Sequence, residues 1–289
     1  MACELAQFLH RVGTKTTQIQ RSPHILKDQA PDVSEVVETA LRDEGLDLFT
    51  DTKLQSIGRT NDGFEVVFDH DGIEKRCSAK HVVNALGRSP ATGNLRLEEA
   101  GIELKLNGQI VTDTYHRNTN AKVYAAVDCS GPVEIVHTAV LQGEFAAYHA
   151  FGIKKTPLNY DHMLDVVFTD PQVARVGLTE VVLRDRGIDF VVADYPFDDH
   201  GKSILMEAKY GFVRVFAEKP TGRILGAEIV SKDAGELIHA LSVAVSNNLT
   251  AESLLRTHWY HPTLSEILSY PCLLYTSPSP RDRTRSRMP

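Results

Sequence analysis

The chain has 289 residues, 42% hydrophobic and 24% charged, with a net charge of −7 and a pI near 5.9. That make-up is ordinary for a soluble globular protein long enough for two or more domains. It excludes a basic nucleic-acid surface, and no apolar run approaches the ~20 residues of a membrane span. The start, Met1-Ala2-Cys3-Glu4, carries an early acid and does not read as a signal peptide. Cys3, Cys77, Cys129 and Cys272 are far apart and form no C-x₂-C or C-x₄-C pair. Their spacing argues against a metal site and a disulfide scaffold, and suits a reducing cytoplasm.

Residues 3–12 read as a helix with Leu5, Phe8, Leu9 and Val12 on one face, stopped by Gly13. Residues 14–20 then read as a strand. A helix feeding a strand is the second half of a βαβ unit. The first strand of such a unit, with its glycine-rich phosphate loop, would lie before Met1, so the chain reads as a fragment or the product of an internal start. A second helix is expected over 31–44, with Gly45 as its stop. Residues 53–59 and 64–68 alternate as a hairpin about Asn61-Asp62-Gly63. Residues 81–86 read as a short buried strand, and 136–149 as a helix. The Pro157-containing stretch 154–159 is the expected linker. A strand-rich block over 165–230, a helix over 234–247 and a loop at His261 follow.

The last nineteen residues, 271–289, are rich in Pro, Ser and Arg and lack an apolar period, so they are expected to be disordered. They look like translated adapter or vector sequence; a native basic tail is the alternative.

The run Trp259-Tyr260-His261-Pro262-Thr263-Leu264-Ser265-Glu266 is the densest in chemistry. A histidine followed closely by a carboxylate can form an acid–base pair, the acid fixing the ring tautomer. Pro262 stops a helix from running through the pair, placing His261 at a loop end and Glu266 one turn into the next helix. The same residues also fit a T-x-x-E capping box, in which Glu266 only closes a helix start. Spacing alone leaves both open.

HPTLSE resembles the C-terminal active-site motif of the FAD- and NAD(P)-dependent disulfide oxidoreductases. Other segments match this family in order. Val82-Val83-Asn84-Ala85-Leu86-Gly87-Arg88-Ser89-Pro90 resembles its A-x-G-R-x-P turn. Thr112-Asp113 with the run from Thr119 to Tyr124-Ala125-Ala126-Val127-Asp128 resembles its second FAD motif. Phe168-Thr169-Asp170-Pro171 through Thr179-Glu180, Gly226-Ala227-Glu228-Ile229-Val230 and Ala234-Gly235-Glu236-Leu237-Ile238 resemble its interface domain. Together these span about residues 2–269. Within the family, HPTLSE is most like the dihydrolipoyl dehydrogenases; glutathione reductases share the histidine and glutamate, and mercuric reductases typically lack the histidine.

The resemblance implies an α/β chain in several parts. These are a partial Rossmann-type NAD(P) domain (1–84) without its first strand and Gly loop, a remnant of the FAD domain (85–153), an α+β interface or dimerisation domain (154–270) and the tail. It implies FAD and NAD(P)H as cofactors, a homodimer, a disulfide substrate and no resident metal, nucleic acid or membrane. Electrons would pass from NAD(P)H through FAD to a cysteine pair and on to a disulfide. His261, held by Glu266, would move the proton between thiols of the partner subunit. The cysteine pair belongs to the part of the family fold not represented here.

The resemblance also implies cofactor contacts. Asp128 would accept a ribityl hydroxyl of FAD, although motif-blind it reads as a turn cap. Val127 stands where the family has glycine, and a β-branched residue resists φ > 0. His137, Thr138 and Ala139 open the helix whose amides approach the flavin. Glu4 matches an acid after the glycine fingerprint. Gly87 lies where the chain returns from the NAD to the FAD domain, chiefly a structural position. Gln20 and Arg21 end the second strand. Gln20 replaces the acid that holds a ribose 2′-hydroxyl, and Arg21 can pair with a 2′-phosphate, which favours NADPH over a merely solvated arginine.

Overall fold

A computed structural model of the chain describes residues 1–276. It is a mixed helix-and-sheet molecule in two compact units, one of residues 1–85 with 161–276 and one of residues 86–160.

The first unit begins with α1 (Ala2–Arg11), β1 (Thr17–Ile19), α2 (Pro31–Asp43) and β2 (Asp47–Phe49). β1 and β2 pair in parallel, Thr17 opposite Asp47 and Ile19 opposite Phe49, with α2 as the connection. The helix α2 is expected from the sequence, whereas β2 and its parallel pairing with β1 are not. Pro31 opens α2, where its missing N–H is no loss, and Val33, Val37, Ala40 and Leu41 form the buried stripe.

Helix α1 corrects one expectation. Its apolar residues Leu5, Phe8 and Val12 are exposed, whereas Cys3, Ala6 and Gln7 are buried. Polar side chains pull the opposite face inward. Gln7 Nε2 donates to the Asp170 carbonyl at 2.7 Å and to Glu44 Oε1 at 2.9 Å, and Gln7 Oε1 accepts from Asp170 N–H at 2.8 Å. Arg11 donates to Asp170 Oδ2 at 2.8 Å and its Nε to Glu44 Oε2 at 3.0 Å.

β3 (Thr52–Thr60), β4 (Gly63–His70) and β5 (Ile73–Ala79) form an antiparallel sheet. Thr60 faces Gly63 across a two-residue turn of Asn61-Asp62, as the turn residues predict. Gly63 has φ +146, and a Cβ there would run into the Ala79 carbonyl, so glycine is required. The expected buried strand at 81–86 does not form. The segment lies outside every strand, with Val83 and Leu86 exposed. Apolar residues make a strand only when a neighbour accepts the ladder, and none of the described strands pairs with it.

The core of this unit is a five-stranded antiparallel sheet ordered β6-β7-β10-β9-β8. The strands are β6 (Leu164–Val167), β7 (Gln172–Gly177), β8 (Phe190–Pro196), β9 (Phe212–Glu218) and β10 (Ile224–Ser231). Central β10 is buried along its whole length. Gly226 faces Gly177 across the β10–β7 ladder, and a Cβ on either would overlap the other strand's backbone, which explains the glycine pair. Between β7 and β8 runs α4 (Glu180–Asp185), capped by Thr179, and α5 (Gly201–Leu205) follows β8. Helix α6 (Ala234–Ser246) buries Leu237, Ile238, Leu241 and Val245 in the sheet's core. α7 (Ala251–Leu255) and α8 (Tyr270–Thr276) complete the unit. Pro271–Thr276, expected to be unstructured, belong to α8, and Cys272 is buried in the core. Residues 277–289 of the expected tail lie outside the described residues.

Arg214 of β9 ties α2 to this sheet. It donates to Asp32 of α2 at 2.6 Å and to both oxygens of Asp194 at 2.7 and 2.8 Å. Burial pushes the Asp32 carboxyl up, but the Arg214 hydrogen bonds and charge outweigh it, and Asp32 lies below the usual range. Glu228 lies 3.5 Å from Arg214 with its Oε2 lacking a hydrogen bond. Burial holds Glu228 above the usual carboxylate range, with Arg214 and Arg175 offsetting only part.

The second unit holds loops, a 3₁₀ turn at Val127–Cys129 and α3 (Val136–Ala150). Residues 154–159, the expected linker, carry neither helix nor strand.

A raised carboxyl pKa in the folded state means that the folded protein binds the extra proton. Its stability contribution is present at low pH and is lost as pH rises through the folded pKa. Glu228→Gln therefore raises the urea midpoint at pH 7, and its advantage over the parent shrinks as pH falls toward about 4, near the unfolded carboxylate pKa. Urea titrations of both proteins across this range check it. An advantage that grows on acidification overturns it.

Candidate functional site: a histidine–glutamate pair and the Asp128 loop

In the first unit, Trp259 anchors the segment leading to His261 by donating its indole N–H to the Leu254 carbonyl at 2.9 Å. Pro262 follows His261, and a 3₁₀ turn over Leu264–Ser269 begins two residues later. His261 Nδ1 lies 2.9 Å from Glu266 Oε2 and 3.1 Å from Oε1. The imidazole is 77% exposed while the carboxylate is only 8% exposed. A carboxylate can only accept, so the neutral ring carries its proton on Nδ1 and presents Nε2 as a lone pair. Nε2 has no hydrogen-bond partner among the described residues. The alternative capping box is absent: no side chain caps the 3₁₀ turn, and Thr263 donates instead to the Tyr260 carbonyl at 2.7 Å.

Glu266 has a further partner that sequence spacing does not reveal. His200 Nε2 reaches its Oε1 at 3.2 Å from 66 residues away. His200 ends the 3₁₀ turn after β8 and precedes α5, and no local motif marks it.

The remaining candidates of this unit sit elsewhere. Glu4 on α1 accepts from the Phe168 N–H at 2.8 Å and pairs with the N-terminal ammonium at 2.6 Å. Burial raises its pKa, but those two partners prevail and hold it below the usual range. Gln20 follows β1, its backbone bonded to Phe49 and Thr52. Arg21 is exposed at the adjoining bend and makes no ion pair among the described residues.

In the second unit, the 3₁₀ turn sets out Asp128, whose half-exposed carboxylate lies 3.4 Å from Arg88, next to Gly87. Gly87 has φ +119, open only to glycine without strain. His137, Thr138 and Ala139 form the first turn of α3, which no side chain caps; Thr138 is buried and His137 exposed. A carboxylate acceptor and an uncapped helix start suit a ligand with hydroxyl donors and anionic character.

Val127 adopts φ +66 despite its branched Cβ. The fully buried Gln142 holds it there: its side-chain carbonyl accepts from Val127 N–H at 2.6 Å, and its amide donates to Tyr160 at 2.8 Å. The fold imposes the glycine conformation on a valine.

Residues 1–143 match the family described as pyridine nucleotide-disulphide oxidoreductase, and residues 163–271 match its dimerisation domain. The chain belongs to the pyridine nucleotide-disulphide oxidoreductase family. It is 31% identical over 275 residues to a mercuric reductase of Staphylococcus aureus, covering 95% of this chain and 50% of that protein. It is also 31% identical over 265 residues to the dihydrolipoyl dehydrogenase of Bacillus subtilis, covering 91% and 56%. Among solved structures, LpdA of Mycobacterium tuberculosis superposes with a TM-score of 0.86 at 28% identity, covering 95% of this chain and 59% of that one. The flavoprotein disulfide reductase RclA of Escherichia coli, at 24% identity and a TM-score of 0.84 over 94% and 62%, shares the fold. The chain spans about half the length of the curated relatives it matches. Members of this pyridine nucleotide-disulphide oxidoreductase family use FAD and NAD(P)H. Among the described residues no helix is long and apolar enough to cross a membrane, and no cluster of ligands suits a metal ion.

A non-glycine residue held at positive φ costs about 1–3 kcal/mol, of which glycine's greater unfolded-state entropy returns about 0.5–1. Val127→Gly is therefore expected to stabilise the second unit by about 1 kcal/mol, measured by hydrogen exchange at amides of α3. Slower exchange is the expected result; faster exchange shows that the valine side chain is needed for packing.

Proposed function

We propose that this chain supplies the acid–base and dimerisation part of a flavoprotein disulfide reductase of the dihydrolipoyl dehydrogenase type, acting as a homodimer in the cytoplasm. The observation that carries this reading is the exposed His261 imidazole tethered at 2.9 Å to the buried Glu266 carboxylate. Nε2 accepts the proton of a thiol as that sulfur becomes the attacking thiolate, and returns it to the thiolate released from the disulfide. Glu266 holds the ring in the required tautomer and balances the imidazolium in between. The attacking thiol comes from outside this chain. Cys3 and Cys272 are buried, and burial raises both thiols, Cys272 to about 12, which disfavours the nucleophilic thiolate.

FAD, when bound, supplies two-electron transfer from NAD(P)H to a disulfide. Asp128 would hold a ribityl hydroxyl, and the start of α3 at His137, Thr138 and Ala139 would face the ring, with Gly87 next to Arg88, the ion-pair partner of Asp128; Glu4 would follow the glycine fingerprint of the nucleotide fold. Gln20 and the exposed Arg21 favour NADPH. A mercuric-ion acceptor fits less well. Reducing a soft metal ion calls for thiolate ligands rather than a fixed proton relay such as the His261–Glu266 pair. A glutathione reductase-like acceptor would use the same histidine–glutamate pair.

A second reading has its own support: the sequence contains no G-x-G-x-x-G loop and no closely spaced cysteine pair. On that reading the polypeptide by itself is a catalytically inert dimerisation module. Stoichiometric flavin absorbance in the purified chain would sink it.

With the chain joined to a flavin-domain half that carries a cysteine pair, His261→Gln is expected to slow thiol–disulfide turnover by about 10²–10⁴ and leave flavin absorbance intact. Unchanged turnover refutes the acid–base role. In the same protein Arg21→Ala is expected to weaken NADPH binding about tenfold and NADH binding little, read as KM for each nucleotide. An equal change in both removes the case for 2′-phosphate recognition.

A further inference from the structure

Glu266 is buried, and its carboxylate is gripped from two sides. On the exposed side stands His261. On the buried side stands His200, only 1% exposed, with Nε2 3.2 Å from Glu266 Oε1 and Nδ1 2.7 Å from Ser203 Oγ. Since the carboxylate only accepts, a neutral His200 carries its proton on Nε2, and its Nδ1 accepts from the Ser203 hydroxyl. Tyr270 closes the pocket edge-on, its ring 5.7 Å from His200 at 80°. The bonds form one line, Ser203 to His200 to Glu266 to His261, running from the interior to the surface.

The geometry points to His200 as a positioning residue for His261. This rests on the proton-relay reading of the His261–Glu266 pair. A glutamate side chain has several rotors, and an exposed imidazole cannot restrain it, because that imidazole is itself free to turn in solvent. The restraint must come from the buried side. His200, itself locked by Ser203 on the short helix α5, pins Oε1. Oε2 is then aimed at Nδ1 of His261, leaving Nε2 of that ring as the outward base. His200 touches no substrate and moves no proton of its own; it sets which nitrogen of His261 is protonated.

The test reads that nitrogen directly. Long-range proton–nitrogen NMR correlations on the full chain, under alkaline conditions that leave the imidazoles neutral, report the Nδ1–H to Nε2–H ratio of His261. In His200→Phe the ratio is expected to fall about fivefold, the factor carried by one net hydrogen bond. In His200→Gln, whose terminal amide N–H can still reach Glu266, it is expected to stay near the parent value. Ser203→Ala frees the His200 ring to swap tautomers and is expected to give an intermediate fall. A His261 ratio unchanged in folded His200→Phe overturns the proposal. Should that variant not fold, an unchanged ratio in Ser203→Ala overturns it instead. Because the readout is a tautomer and not turnover, failure here leaves the proton relay standing, and failure of the relay in the turnover assay leaves this result untouched.

Discussion

The buried carboxylate of Glu266 is the constraint around which the rest is arranged. Removing a charged carboxylate from water is expensive unless hydrogen bonds replace the lost hydration. Two histidines make that replacement here, one from a loop five residues earlier and one from a turn 66 residues earlier. Each holds the acid only if its own element is in place. The charge thus obliges the Leu264–Ser269 turn and the β8–α5 connection to meet. It also converts an exposed imidazole, which alone would sample both tautomers, into a base with a defined direction.

The five-stranded sheet makes that meeting possible. Its central strand is buried end to end and carries α6, while the Leu264–Ser269 turn drops Ile267 and Leu268 into the same core. Glu266 is therefore carried inward by the two apolar residues that follow it. The Arg214 cluster binds α2 to the same sheet with charges. Gln7 and Arg11 of α1 grip Asp170 in the loop before β7. Helices α1 and α2 and the five-stranded sheet thus form one compact body in which ion pairs add to the apolar contact and set the orientation.

Val127 and Glu228 show the fold overriding local preference. At Val127 the buried amide of Gln142 enforces a left-handed backbone that valine disfavours, because losing that hydrogen bond within the unit would be worse than the steric strain. At Glu228 a carboxylate lies in a wholly buried strand whose other residues, Ser231 apart, are apolar, and nearby arginines balance it only in part. Local rules fail at these points because a longer-range interaction is stronger.

Periodicity and turn chemistry were enough to locate α2, the hairpin at Asn61-Asp62, α3 and α6, because each rests on contacts between residues near in sequence. The order of motifs was enough to identify the family, and Pro262 with Glu266 marked where an acid–base pair could stand. The apolar stripe of α1 misled, since Gln7 and Arg11 found partners more than 30 residues away. Residues 81–86 misled as well, since a strand requires a neighbour that no local pattern supplies. Nor did composition anticipate that α8 would take up Pro271–Thr276 and bury Cys272. Only the tertiary structure decided that His200 would reach Glu266 and which face of α1 would turn inward. Each depends on two segments distant along the chain being brought within about 3 Å, a hydrogen-bond length that no spacing in the sequence encodes.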